Sequence, residues 1–203
     1  MPRPRDSDRP PSLVVLRGPS CSGKTTTALA VRQAVGRGVA VVQQDVIRRE
    51  LLRERDQPGA LNIDLISLIV TRCLAADYDV ILEGILDASR YGTALRAIIT
   101  AHPGPAHVCY FALPLDETLR RHATKPNATG YGPRELAEWY VPDDLLSVPH
   151  EKIIRVVKAR TRSWRASSPR PCQPAPQHSE KLYCRLAASG SGSIAHKLLT
   201  DGR

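Results

Sequence analysis

The sequence predicts an α/β fold, a parallel sheet covered by helices on both faces. Three observations predict it. Near-continuously apolar runs recur along the chain (LVVL at 13–16, VAVV at 39–42, VILEGI at 80–85, VCYFAL at 108–113), as strands buried on both faces require. Segments of helical period separate these runs, so strands and helices alternate. The first run also passes straight into a glycine-bearing turn and then a helix, the junction at which such sheets bind ligands.

The first strand, 13–16, opens the stretch LVVLRGPSCSGKTTT. Gly18 to Thr25 fits G-x-x-x-x-G-K-[ST], the phosphate-binding P-loop or Walker A pattern, in a strand–loop–helix setting. Each residue type has a chemical reason. Gly18 and Gly23 open backbone conformations closed to residues with a Cβ, so that successive N–H groups of the turn face one concavity. Gly18, Pro19, Ser20, Cys21, Ser22, Gly23, Lys24, Thr25 and Thr26 are the expected nucleotide-binding set. The positive end of the next helix adds to the field felt by an anion. Lys24 supplies a mobile charge for the β- and γ-phosphates, and the Thr25 hydroxyl is placed to ligate Mg²⁺. The loop is expected to bind a nucleoside triphosphate, with ATP the default.

A helix over 23–35 follows, broken by Gly36-Arg37-Gly38 before the second strand at 39–42. The segment 43–52 leaves that strand and begins a helix with Asp45 near its N-terminus. After a loop at 57–60, residues 61–76 carry Leu61, Leu65, Leu68, Ile69 and Cys73 at helical spacing, which predicts that these form the buried face. The third strand, 80–85, has its charged end at Glu83. A helix over 88–100 stops before His102-Pro103-Gly104-Pro105, and the fourth strand is 108–113. A helix over 115–122 carries Glu117, Arg120 and Arg121; 125–132 is irregular, and Pro133 can open a short helix to Trp139. A last strand is expected at 152–157.

Charge divides the chain unevenly. Residues 1–150 hold 18 Lys+Arg against 17 Asp+Glu, whereas 151–203 hold 11 against 3, so nearly all of the net +9 lies in the last quarter. Residues 1–12 read as a disordered leader, 13–157 as the domain, with a lid near 115–142, and 158–203 as a basic, disordered low-complexity tail. A basic tail leaves a nucleic-acid partner open, but the near-neutral body argues against a long nucleic-acid groove. The five cysteines form no metal-binding spacing, and Cys73 and Cys109 lie in apolar runs. Without a signal-type or membrane-spanning segment, the protein is expected to be soluble and cytoplasmic, with no membrane partner.

The acceptor half of the site is less explicit. Asp45 leaves the second strand opposite the phosphate loop, where a carboxylate can orient an acceptor hydroxyl and take its proton, and Arg48 follows one turn later. A helix-terminal Asp beside a solvent-facing Arg is the alternative. Glu83 can hold Mg²⁺ through water as a Walker-B-type acid, or contact the acceptor. Arg120, Arg121 and Lys125 precede the irregular segment, as expected of lid cations that cover a transferring phosphate.

Taken together, GPSCSGKTT, QQDVIRR, VILEGIL and the run from Glu117 to Pro126 resemble a small P-loop kinase family, often filed under AAA-type ATP-binding proteins. That group is similar to zeta toxins, chloramphenicol phosphotransferase and the 5′-kinase domain of polynucleotide kinase. The resemblance covers about 13–154. It implies a P-loop NTPase three-layer sandwich of nucleotide-kinase type, phosphate binding by Gly18 to Thr25, Asp45 as general base, Arg48 as acceptor or phosphate contact, and lid contacts from Arg120 or Arg121. No Asp stands beside Glu83, and past Ile154 a basic Ser/Pro/Arg text replaces the closing strand, acidic turn and helix of the family pattern. The expected activity is a kinase moving the γ-phosphoryl of ATP·Mg²⁺ to a hydroxyl of a small molecule. The alternatives are a polynucleotide 5′-hydroxyl kinase and a regulatory ATP-binding protein or ATPase.

Overall fold

The computed structural model describes residues 10–124 and 131–155. Five strands, β1 (Leu13–Arg17), β2 (Val39–Gln43), β3 (Asp79–Glu83), β4 (Ala106–Ala112) and β5 (Lys152–Arg155), form one sheet in the order β2-β3-β1-β4-β5. Every pairing is parallel. The helices are α1 (Lys24–Val35), α2 (Leu61–Ala75), α3 (Ala88–Ala101), α4 (Leu115–Ala123) and α5 (Pro133–Glu138).

The alternation of side chains along β1 builds two cores. Leu13 and Val15 join the larger cluster with Ile63, Ile66, Val70, Tyr91 and Leu95 of α2 and α3. Val14 and Leu16 point the other way, to Ala28 and Val31 of α1 and to Ile81, Cys109 and Phe111. Helices therefore cover both faces of the central strand, which is the α/β three-layer arrangement expected from the apolar runs.

Several details differ from the sequence expectation. The buried face of α2 is Asn62, Ile63, Ile66, Val70 and Leu74, while Leu61 and Leu68 face solvent. The apolar residues of α2 cover more than one stripe, so periodicity alone admitted two phases. Glu54 decides between them: its carboxylate accepts from the backbone N–H groups of Leu61 and Asn62 and from the Asn62 side-chain amide, fixing the rotation of the helix start. The segment after β2 is helical but wider than an α-helix, a π-helical stretch over Val46–Leu51. At the N-terminal side, Ser12, assigned to the leader, is fully buried and its N–H donates to Asp79 at 2.7 Å. Strand β5 is described to Arg155; residues 1–9 of the leader, Lys125 and the tail 158–203 lie outside the described residues. Among the described residues no helix is long and apolar enough to cross a membrane.

The sheet sets the position of the loop after β1. Gly18 takes φ +134°, and a Cβ built there would stand 2.6 Å from the Phe111 carbonyl oxygen of β4. Both backbone conformation and contact thus exclude a side chain. Gly18→Ala is expected to lower the melting temperature and to weaken nucleotide binding together. Thermal unfolding with and without AMP-PNP checks this; an unchanged midpoint would mean β4 yields at no cost.

Candidate functional site

The carboxyl ends of β1, β2 and β3 meet at one edge of the sheet, and the expected site residues are distributed around that edge. The loop Gly18 to Gly23 leaves β1 and enters α1. Cys21 (φ 58°) and Gly23 (φ 95°) adopt left-handed backbone conformations, the kind of turn that aims successive N–H groups into one hollow. Gly23 caps α1 with its carbonyl, which accepts from Thr27 N–H. Lys24 folds back over the loop: its Nζ donates to the Pro19 carbonyl at 2.7 Å and to Ser22 Oγ at 3.1 Å. Ser22 is buried, whereas Pro19 lines an adjoining crevice. Ser20 Oγ lies 3.7 Å from Cys21 Sγ. Thr26, in the first turn of α1, is exposed.

Glu83 ends β3 beside the loop. One of its carboxylate oxygens accepts from Thr25 Oγ1 at 2.8 Å and from the Gln43 amide at 2.9 Å. Register explains the meeting: Gln43 of β2 pairs with Glu83, and Glu83 pairs with Leu16 of β1. A hydroxyl and a carboxylate, both hard oxygen donors, thus converge at the base of the phosphate loop, a donor set that suits Mg²⁺. Among the described residues no group of three or more His, Cys, Asp or Glu side chains could hold a metal by itself.

Asp45 stands at the start of the π-helical stretch with its side chain 62% exposed. One carboxylate oxygen accepts from Arg48 Nη2 and from Arg49 Nε, each at 3.1 Å. Arg48 is largely covered and reaches back to the Glu54 carbonyl, and its Nε has no hydrogen-bond partner among the described residues. Arg49, not singled out by the sequence, lies over two rings, 5.0 Å from the centre of Tyr131 and 5.4 Å from that of Trp139. Tyr131 in turn stacks on His122 of α4, 5.0 Å away. Such cation–ring contacts are electrostatically attractive, so Arg49 joins the Asp45 carboxylate to α4 and α5.

Arg120 and Arg121 converge on Glu117, which the sequence places on the same helix without a role. Its carboxylate, 4% exposed, takes both Nε and Nη2 of Arg120 at 2.7 Å and Nε of Arg121 at 2.8 Å. Arg121 also donates to the Cys21 carbonyl of the phosphate loop at 3.4 Å, while Arg120 projects into solvent. The hydrogen bonds from Arg120 and Arg121 pull the Glu117 carboxyl down to about 2.

A protein-family profile described as an AAA domain matches residues 13–139, from the first strand to the end of α5. The chain belongs to the AAA domain family. No curated protein matches the sequence. The fold of this AAA domain is that of solved P-loop kinases. A Chloroflexus aurantiacus J-10-fl protein assigned as a kinase superposes with a TM-score of 0.57 at 16% identity, over 74% of this chain and 86% of that one. Mycobacterium tuberculosis APS kinase CysC, solved with AMPPNP and APS, gives 0.56 at 17% identity over 74% and 91%. A gluconokinase of Sinorhizobium meliloti 1021 gives 0.50 at 15% identity over 74% and 85%.

Two further features of the AAA domain bear on its site. Leu86 and Tyr91, which follow Glu83 in the chain, are buried in the core. Tyr91 Oη is held by Gln44 (2.7 Å), Asp56 (2.6 Å) and Asn62 (2.7 Å), a polar network that ties α3 to the end of β2 and the start of α2. The second concerns acid. Glu117 titrates lower in the folded chain than in the unfolded one. Its stabilising contribution is therefore complete above the ordinary carboxylate value and is lost as pH falls toward about 2. The stability gap between the parent AAA domain and Glu117→Gln should be widest near neutrality and should narrow below the ordinary value. Chemical denaturation at a series of pH values reads this, and a gap that widens in acid would contradict it.

Proposed function

We propose that the protein is an ATP-dependent kinase that transfers the γ-phosphoryl group to a hydroxyl of a small molecule. The observation that supports the reading is topological: β1 and β2 flank β3 in a parallel sheet, so the phosphate loop that leaves β1 and Asp45, just past β2, both lie at its carboxyl edge. On one side are Lys24 and the loop amides; on the other is the Asp45 carboxylate, exposed and oriented by two arginines. A motor or switch needs the first half, while transfer to an alcohol needs both.

In this reading the loop amides and Lys24 bind the triphosphate, Lys24 Nζ exchanging its contacts with Pro19 and Ser22 for phosphate oxygens. Thr25 and Glu83 would hold Mg²⁺, which neutralises charge on the phosphate oxygens. Asp45 orients the acceptor hydroxyl in line with the terminal phosphorus and takes its proton. Arg121, held by Glu117 against the Cys21 carbonyl, lies at the loop as a cation for the transferring group. Positioning and charge neutralisation supply most of the rate in such a site.

The test is to incubate the full chain with γ-labelled ATP, Mg²⁺ and a metabolite panel, with a 5′-hydroxyl oligonucleotide as a separate arm. Label on a metabolite supports the proposal. Label on the oligonucleotide would redirect it to polynucleotide substrates, and free phosphate alone would leave an ATPase.

A further inference from the structure

The outer side of α2 lacks the charge that a solvated helix carries. Of its residues, LNIDLISLIVTRCLA, only Asp64 and Arg72 are charged, although Leu61, Asp64, Leu68, Thr71, Arg72 and Ala75 all face outward. Leu61 and Leu68, two turns apart, are 52% and 57% exposed, and Leu65 lies half-buried between them. Leu51 is 66% exposed. It ends the π-helical stretch packed against α2, just ahead of Glu54, whose carboxylate holds the Leu61 N–H. These three leucines are the most exposed large apolar side chains among the described residues. A helix apolar on its outer side as well as its inner one fits an interior or an interface rather than water.

The two charges indicate what meets this stripe. Asp64 and Arg72 stand about one turn to either side of Leu68, and neither side chain has an ionic or hydrogen-bonded partner among the described residues. Set against an antiparallel copy of itself centred on Leu68, the stripe is its own complement. Leu68 meets Leu68, Asp64 of each copy meets Arg72 of the other, and Leu61 meets the small Ala75. A parallel arrangement would instead oppose Asp64 to Asp64 and Arg72 to Arg72. One patch thus serves both copies, as a two-fold interface requires, and its charges select the orientation.

We infer that the outer stripe of α2 is a dimer interface, and that its partner is a second copy of this chain with α2 antiparallel. The exposed leucines supply the apolar area, and two Asp64–Arg72 pairs at the rim fix the register. Such pairs add little while they stay in water and gain as the leucines beside them exclude it. The kinase reading is not needed for this, since no residue of the stripe has a part in the nucleotide or acceptor site.

Sedimentation of the full chain from about 1 to 100 µM, a range suited to an interface of modest area, tests the inference. A reversible monomer–dimer equilibrium is expected. Leu68→Glu sets two carboxylates against each other at the two-fold axis and should weaken dimerisation about a hundredfold or more, while AMP-PNP binding holds as a check on the fold. Asp64→Arg or Arg72→Asp alone turns both pairs repulsive and should weaken it about tenfold. The two together restore opposite charges and should return the affinity to that of the parent, a rescue that belongs to the antiparallel register. A monomer at every concentration overturns the inference, as does a dimer that ignores Leu68→Glu or a double variant as weak as the single ones. In the monomeric case, slow alkylation of a Leu68→Cys thiol would assign the stripe to another segment of this chain, and fast alkylation would leave it to a different protein.

Discussion

Asp45→Asn is expected to slow phosphoryl transfer by about 10²–10⁴-fold while AMP-PNP affinity stays unchanged. Asparagine keeps the shape of the side chain, and its carbonyl oxygen can still accept from Arg48 and Arg49, which hold the carboxylate at 3.1 Å. What it lacks is the capacity to receive the acceptor's proton. The nucleotide loop is a separate element, reached from β1 rather than β2, so triphosphate binding should persist. Label transfer under saturating ATP, beside calorimetry with AMP-PNP, separates the two effects. Equal turnover in the variant would remove Asp45 from the proton-transfer step. A parallel loss of nucleotide affinity would show instead that the Asp45–Arg48 pair supports the phosphate site.

The second large effect is expected in folding. Arg17, the last residue of β1, is fully buried. Its guanidinium donates to Asp144 at 2.6 Å, to Glu151 at 3.1 Å and to the Leu86 carbonyl at 3.0 Å, and lies 5.6 Å from the centre of the Tyr110 ring. Arg17→Leu would strand two largely buried carboxylates and a carbonyl without their donor. Removing one partner from such a network costs about 3–5 kcal/mol, which for a domain of this size lowers the melting temperature by roughly 6–20 °C. Arg17→Lys keeps the charge but cannot reproduce the planar fork, and should fall between. Scanning calorimetry settles the order; a leucine variant as stable as the parent would mean that Asp144 and Glu151 find water when Arg17 is gone.

The comparison of these two residues shows what was legible in the sequence. The phosphate loop, the parallel sheet and the terminal position of Glu83 on β3 follow from local pattern, because each depends on residues within one strand and its turn. Arg17 does not. In LVVLR it resembles the solvated end of a strand, and its acidic partners lie 127 and 134 positions away. Glu117 was visible as part of a helix, but a Glu three and four positions before two arginines usually marks a solvated face; in the fold its carboxylate is buried and bound by both guanidinium groups. The rotation of α2 was lost for a related reason. Its apolar residues allow two stripes, and the choice rests on Glu54, which precedes the helix in a loop. The role of Tyr91 was likewise out of reach of local pattern, because the three side chains that satisfy its hydroxyl inside the core lie 29 to 47 positions away.

The strand order has a consequence for how the chain is made. Strand β1 belongs at the centre, but its neighbours β3 and β4 begin at Asp79 and Ala106. On a ribosome adding about 5–20 residues per second, the apolar run of β1 waits roughly 5–20 seconds before both flanks exist. Strand β2 emerges next, yet it cannot relieve the wait, since it pairs with β3 alone. Nascent β1 is therefore the apolar stretch that waits longest for its sheet partners.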